Sequence, residues 1–195
     1  MLSTPNKKSP LAHKKCGLLD PEFCLTQASW IIDTIPVTEE TEYFRVWRFH
    51  KESQVPLIKM ALEHIKENRL KLESKLRTTL TTNFFTFTQT IKDKPEVVWF
   101  KDKVSNGQFH IPIVGKSNID IDDGTKIKTV SYNDGTFWFL NSKQYMHKVN
   151  ATNGKERIEL YASMSQPDRY VSEKMILVAN NEWKNLNKEE GKKDD

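Results

Sequence analysis

Between Gln108 and Ser163 the chain runs Gln108-Phe109-His110-Ile111-Pro112-Ile113, then Gly135-Thr136-Phe137-Trp138-Phe139-Leu140-Asn141, then Tyr145-Met146-His147-Lys148-Val149-Asn150, then Glu156-Arg157-Ile158-Glu159-Leu160-Tyr161. Each run is short, rich in aromatic and β-branched residues, and bounded by turn residues. That combination reads as a strand. The same texture begins just after Leu80. Strands are expected over Thr82 to Ile91, Val97 to Lys101, Phe109 to Val114, Asn118 to Ile121, Lys126 to Tyr132, Thr136 to Leu140, Met146 to Ala151 and Arg157 to Ser163. Asn106-Gly107, Asp123-Gly124, Asp134-Gly135 and Asn153-Gly154 supply turn signals between them. Many short strands with frequent turns argue for antiparallel sheets closed on each other, not for a parallel sheet with crossover helices. The expected fold is mainly β with a supporting helix: a double-stranded β-helix, that is, a cupin-like jelly roll.

The helix lies upstream. From Ser53 to Leu76 the period is helical, with Ile58, Ala61, Leu62, Ile65, Leu72 and Leu76 on one stripe. Glu63, Lys66, Glu67, Lys71 and Lys75 fill the other face. Ser53 is the expected cap and Pro56 is tolerated in the first turn. This helix should pack on the outer face of a sheet, with His64 at the boundary of its stripe. Ala28 to His50 carries strand-like pieces at Trp30-Ile31-Ile32 and Tyr43 to Phe49 but has no clear placement. Residues 1–15 read as a loose basic arm, 16–183 as one domain and 184–195 as a disordered charged tail.

Composition narrows the function classes. The chain has 195 residues, 37% hydrophobic and 29% charged, with a net charge of +4. Much of the basic excess lies in Lys7, Lys8, Lys14 and Lys15. No basic stripe with interleaved aromatics appears, so nucleic-acid binding rests on charge alone. No stretch approaches the roughly 20 apolar residues of a membrane helix. Cys16 and Cys24 form neither a disulfide framework nor a metal knuckle, so a reducing, cytoplasmic setting is expected.

Three residues in the strands stand out chemically. His147 opens a short strand, Arg157 opens another ten residues later, and His110 lies inside an apolar strand. Two imidazoles and a carboxylate on one face suit Fe(II), and the planar fork of Arg suits the far carboxylate of an acidic cosubstrate. Plainer roles are open to each. His147 can be a strand-edge His with a structural hydrogen bond. Arg157 can be a surface Arg paired with Glu156 or Glu159, and His110 a satisfied core His.

Gly135, Trp138, Leu140, Asn141, His147, Val149 and Asn150, followed by Arg157, resemble the C-terminal half of the aspartyl/asparaginyl β-hydroxylase and proline hydroxylase-like family of Fe(II)/2-oxoglutarate-dependent dioxygenases. The resemblance covers about a third of the chain. It implies a jelly roll that hydroxylates an amino-acid side chain, free or peptidyl Asp, Asn or Pro, with Fe(II) and 2-oxoglutarate as cofactors. It implies His147 as the distal metal ligand and Arg157 as the anchor of the cosubstrate carboxylate. His110 then contacts the cosubstrate, and Gln108 stands where the family has an Arg. The family places its proximal ligands near Trp99-Phe100-Lys101-Asp102. Asp102 can be the carboxylate there, but Phe100 holds the His position. Its partners by resemblance are a small cosubstrate and an amino-acid or peptide substrate. The missing His also suits a non-catalytic jelly roll descended from the same family.

Overall fold

The computed structural model describes residues 11–95, 98–102 and 105–165. Strand β1 is His13–Leu18, so the expected arm gives way to sheet at His13. Helix α1, Pro21–Thr34, follows. Its start is set by Asp20, whose carboxylate accepts from Glu22 N–H at 3.0 Å, and by Pro21 in the first turn. Cys24, Ala28 and Ile31 recur at helical spacing and are its buried residues. Trp30-Ile31-Ile32 therefore belongs to a helix, not a strand. β2 (Glu39–Glu40) and β3 (Phe44–His50) come next.

Helix α2 is Pro56–Leu76 and buries Leu57, Ile58, Ala61, Ile65, Leu72 and Leu76. Ser53 does not cap it. Its Oγ accepts from Val55 N–H, and the helix begins at the proline instead. The remaining strands are β4 (Phe84–Thr90), β5 (Ser105–Val114), β6 (Ser117–Asp122), β7 (Ile127–Tyr132), β8 (Thr136–Leu140), β9 (Met146–Val149) and β10 (Arg157–Ser165). Val97 to Lys101 does not form one of these strands. Residues 96–97 lie outside the described residues, and Phe100 makes only an isolated antiparallel bridge to His147.

Among the described residues the strands form a seven-stranded sheet, β1-β8-β5-β10-β4-β3-β2, and a three-stranded sheet, β7-β6-β9. All pairings are antiparallel. Alternation along the large sheet separates two environments. Phe109, Ile111, Ile113, Phe137, Phe139, Ile158 and Leu160 join one core with Leu57, Ile58, Ile65 and Leu72 of α2 and Ile31 of α1. Phe109 stacks on Phe137 at 4.9 Å, and His64 meets Phe137 edge-on. Both helices thus pack on the outer face. Trp138 and Leu140 point the other way and pack with Ile119 and Ile121 of the smaller sheet and with Tyr145, just before β9. This is a jelly roll, and its interior lies between the two sheets.

Asn106-Gly107 lies within β5 and is not a turn. Gly107 has a φ of 155°, and a Cβ there would meet Phe139 Cζ at 2.3 Å. The glycine is needed for close packing against β8, a demand that sequence alone does not separate from a turn. Among the described residues no helix is long and apolar enough to cross a membrane.

Candidate functional site

His147 sits on β9 between Ile121 of β6 and the bridge to Phe100. It is 1% exposed. Its Nδ1 lies 3.2 Å from the Tyr145 carbonyl oxygen, which can only accept. Nδ1 therefore carries the proton, and Nε2 presents a lone pair. Burial lowers the pKa; the Tyr145 carbonyl and the Asp102 charge oppose this without reversing it. The ring is held neutral. Nε2 is buried with no hydrogen-bond partner. A neutral imidazole fixed through Nδ1, with a free buried Nε2, is the form in which His ligates metals.

Asp102 follows Phe100 by two residues. Its N–H donates to the Ser142 carbonyl at 3.0 Å, and Ser142 Oγ donates to its Oδ2. Its charge is felt at His147. Phe100 and His147 exchange both backbone hydrogen bonds, at 2.9 and 3.0 Å. Their ring centroids are 4.1 Å apart. The structure thus places His147 beside Phe100 and within reach of the Asp102 charge. Among the described residues no group of three His, Cys, Asp or Glu could hold a metal. His147 and Asp102 are the two metal-donor side chains beside Phe100. Phe100 is 41% exposed.

Arg157 opens β10 opposite Thr90 of β4. Its Nη1 donates to the Asn150 carbonyl at 3.4 Å. Glu156 instead accepts from Gln89, at 2.9 Å, and among the described residues Arg157 makes no salt bridge. The guanidinium lines a cleft of about 370 Å³ shared with Phe100, Tyr43, Phe44, Val149 and Asn150.

His110 is engaged through both nitrogens, with Nδ1 2.9 Å from Glu159 Oε1 and Nε2 3.1 Å from Gln108 Oε1. It stacks on Trp138 at 4.5 Å. Glu159 also accepts from Ser117 Oγ at 3.0 Å. Burial alone would raise the Glu159 pKa. The His110 hydrogen bond and charge, the Arg157 charge and the Ser117 hydroxyl outweigh it, and the pKa is lowered. A carboxylate is thus built into the interior beside His110. Sequence reading gave Glu159 no part in the site. The signal was present in the alternation, since Ile158 and Leu160 face the helices and Arg157, Glu159 and Tyr161 share the opposite side.

No family model matches the chain, and no curated protein does. Its fold does match solved structures. One is a Pseudomonas putida prolyl-4-hydroxylase, at 14% identity and TM-score 0.54, over 79% of this chain and 91% of that one. A second is a prolyl hydroxylase from Trichoplax adhaerens in complex with a hypoxia inducible factor oxygen degradation domain peptide. It matches at 8% identity and TM-score 0.61, over 78% and 82% of the two chains. A third is a viral collagen prolyl hydroxylase of Paramecium Bursaria Chlorella virus-1 in a 2OG complex, at 11% identity and TM-score 0.51, over 82% and 98%. Identities this low establish shared architecture. The chain has the jelly-roll fold of the 2-oxoglutarate/Fe(II) oxygenases.

Proposed function

We propose that this protein is a 2-oxoglutarate/Fe(II)-dependent oxygenase that hydroxylates an amino-acid side chain, free or within a peptide, with Asp, Asn or Pro as the candidate targets. The observation that carries the proposal is His147 Nε2. It is a buried, unpartnered lone pair on a ring whose tautomer is fixed, inside an oxygenase jelly roll. His147 and Asp102 would hold the metal. Bound Fe(II) would supply oxygen activation for hydroxylation. Ser142 orients Asp102, and Arg157, which makes no salt bridge among the described residues, would offer its guanidinium to the distal carboxylate of the cosubstrate. His110 and Gln108 then line the interior as a hydrogen-bonded pair.

Two protein donors hold a metal less firmly than three, so exchangeable binding is expected. The aspartyl/asparaginyl subfamily remains the nearest reading because of the run from Gly135 to Arg157. The free thiols Cys16 and Cys24 support a cytoplasmic setting. The described residues from His13 onward are proposed as one domain; the expected tail, 184–195, lies outside the described residues.

A second reading is favoured by Phe100. Its ring lies against His147 where a ligand is needed. On that reading the chain is a jelly-roll binding protein that keeps the cosubstrate anchor and has lost turnover.

The test is thermal unfolding with millimolar 2-oxoglutarate and Mn(II). A ligand that binds only the folded state raises the midpoint. Wild type should shift upward and Arg157→Ala should not. An unshifted wild type would remove Arg157 from the cosubstrate site.

A further inference from the structure

The cleft over Arg157 carries more charge than one anchor needs. Lys92, Lys94 and Arg157 all line it. Asp93 is the one carboxylate among its described lining residues, and it is already committed. Its Oδ1 accepts from Thr152 N–H at 2.7 Å and its Oδ2 from Gly154 N–H at 3.3 Å. That carboxylate caps the turn between β9 and β10 and neutralises none of the three cations by direct contact. Lys94 Nζ stands 4.9 Å over the Phe44 ring, which holds its charge at the rim while leaving its donors toward solvent. Tyr43, Phe44 and Val149 give the cleft apolar walls.

Phe100 also lines this cleft, and its other neighbour is the His147 ring. It therefore lies between the cleft and the His147 ring. His147 does not line the cleft, and its Nε2 is buried.

We infer that this cleft is a binding site for a small organic polyanion with two or more carboxylates, held jointly by Arg157, Lys92 and Lys94, and that it fills without metal. The inference rests on the proposed function only through Arg157. It adds the two lysines as determinants of ligand charge and separates anion binding from the metal. Carboxylates spaced along a short apolar skeleton match cations spread around an apolar-walled cleft. A monocarboxylate satisfies only one of them.

Calorimetric titration of the full chain in EDTA at physiological salt tests this, with citrate, glutarate and butyrate as probes. Citrate and glutarate should bind, and butyrate should bind at least tenfold more weakly. The double variant Lys92→Ala/Lys94→Ala should weaken citrate roughly three- to tenfold, the size expected of two exposed ion pairs. Its glutarate loss should be smaller. Arg157→Ala should abolish both. Absence of heat with citrate and glutarate overturns the inference, as does an unchanged citrate affinity in the lysine variant. A glutamate-rich peptide binding more tightly than citrate also overturns it, since the cleft would then be a peptide groove. If Arg157→Ala removes 2-oxoglutarate protection with Mn(II) while the lysine variant binds citrate like wild type, the cosubstrate anchor stands and this inference alone falls.

Discussion

Replacing Glu159 with Leu probes the polar centre of the barrel. Glu159 is 6% exposed and accepts from His110 at 2.9 Å and from Ser117 at 3.0 Å. His110 is 6% and Ser117 1% exposed, so neither can turn to water when the carboxylate is gone. A buried polar group left unmatched costs about 1–3 kcal/mol, so two together cost roughly 2–6 kcal/mol. Leu offsets part of this by removing the burial of a charge. A net loss of about 3 kcal/mol at neutral pH is expected, or about 6–12 °C in midpoint for a chain of this size. The pH dependence fixes the cause. The Glu159 pKa is lowered from its ordinary 4.5, so the folded state binds the ionised form preferentially. That stabilisation is present above pH 4.5 and is lost as pH falls through the folded value. The gap between wild type and variant should therefore narrow below that pH. Urea unfolding at pH 7, 5 and 3.5 reads both effects. A neutral-pH loss under about 1 kcal/mol, or a gap constant with pH, would refute the argument that an ionised Glu159 organises the interior.

Two further outcomes follow from geometry already described. Phe100→His places an imidazole beside His147 across the 2.9 and 3.0 Å backbone bonds, so Mn(II) affinity should rise at least tenfold by calorimetry; no change would mean that the Phe100 side chain does not face the metal position. Gly107→Ala puts a Cβ 2.3 Å from Phe139 Cζ, and thermal unfolding should show a loss of stability. Overpacking of this kind costs about 1–3 kcal/mol, and an unchanged midpoint would contradict the close approach of β5 and β8.

The jelly roll was legible because its strands obey a local rule. Thr136–Leu140 has the same limits in sequence and structure, since a glycine turn and a dense aromatic run leave little choice. Helix α2 was legible from its stripe, although its start moved to Pro56 because Ser53 turns back on Val55 instead. α1 was missed for a physical reason. Trp30, Ile31 and Ile32 favour strands intrinsically, yet Asp20-Pro21 starts a helix whose Cys24, Ala28 and Ile31 are all buried in the core. Tertiary burial overrode propensity there. The site was legible where spacing is read within one strand or between paired ones. Phe100 bridges His147, and Asp102 bonds Ser142. Lys92 and Lys94 reach the Arg157 cleft only through the pairing of β4 with β10, a non-local fact with no signature along the chain. Glu159 and Ser117, which meet across 42 residues of sequence, are the same case.

The metal site is the central claim, and Mn(II) titration followed by electron paramagnetic resonance tests it most directly. Wild type should bind Mn(II) weakly and exchangeably, with Asp102 and the free Nε2 of His147 as protein donors. His147→Ala should abolish that binding; because the ring is buried and its Nδ1 bonds the Tyr145 carbonyl, its thermal midpoint should fall as well, and the two proteins are compared where both are folded. Equal Mn(II) affinity in wild type and His147→Ala would contradict the account and leave the non-catalytic jelly roll in its place.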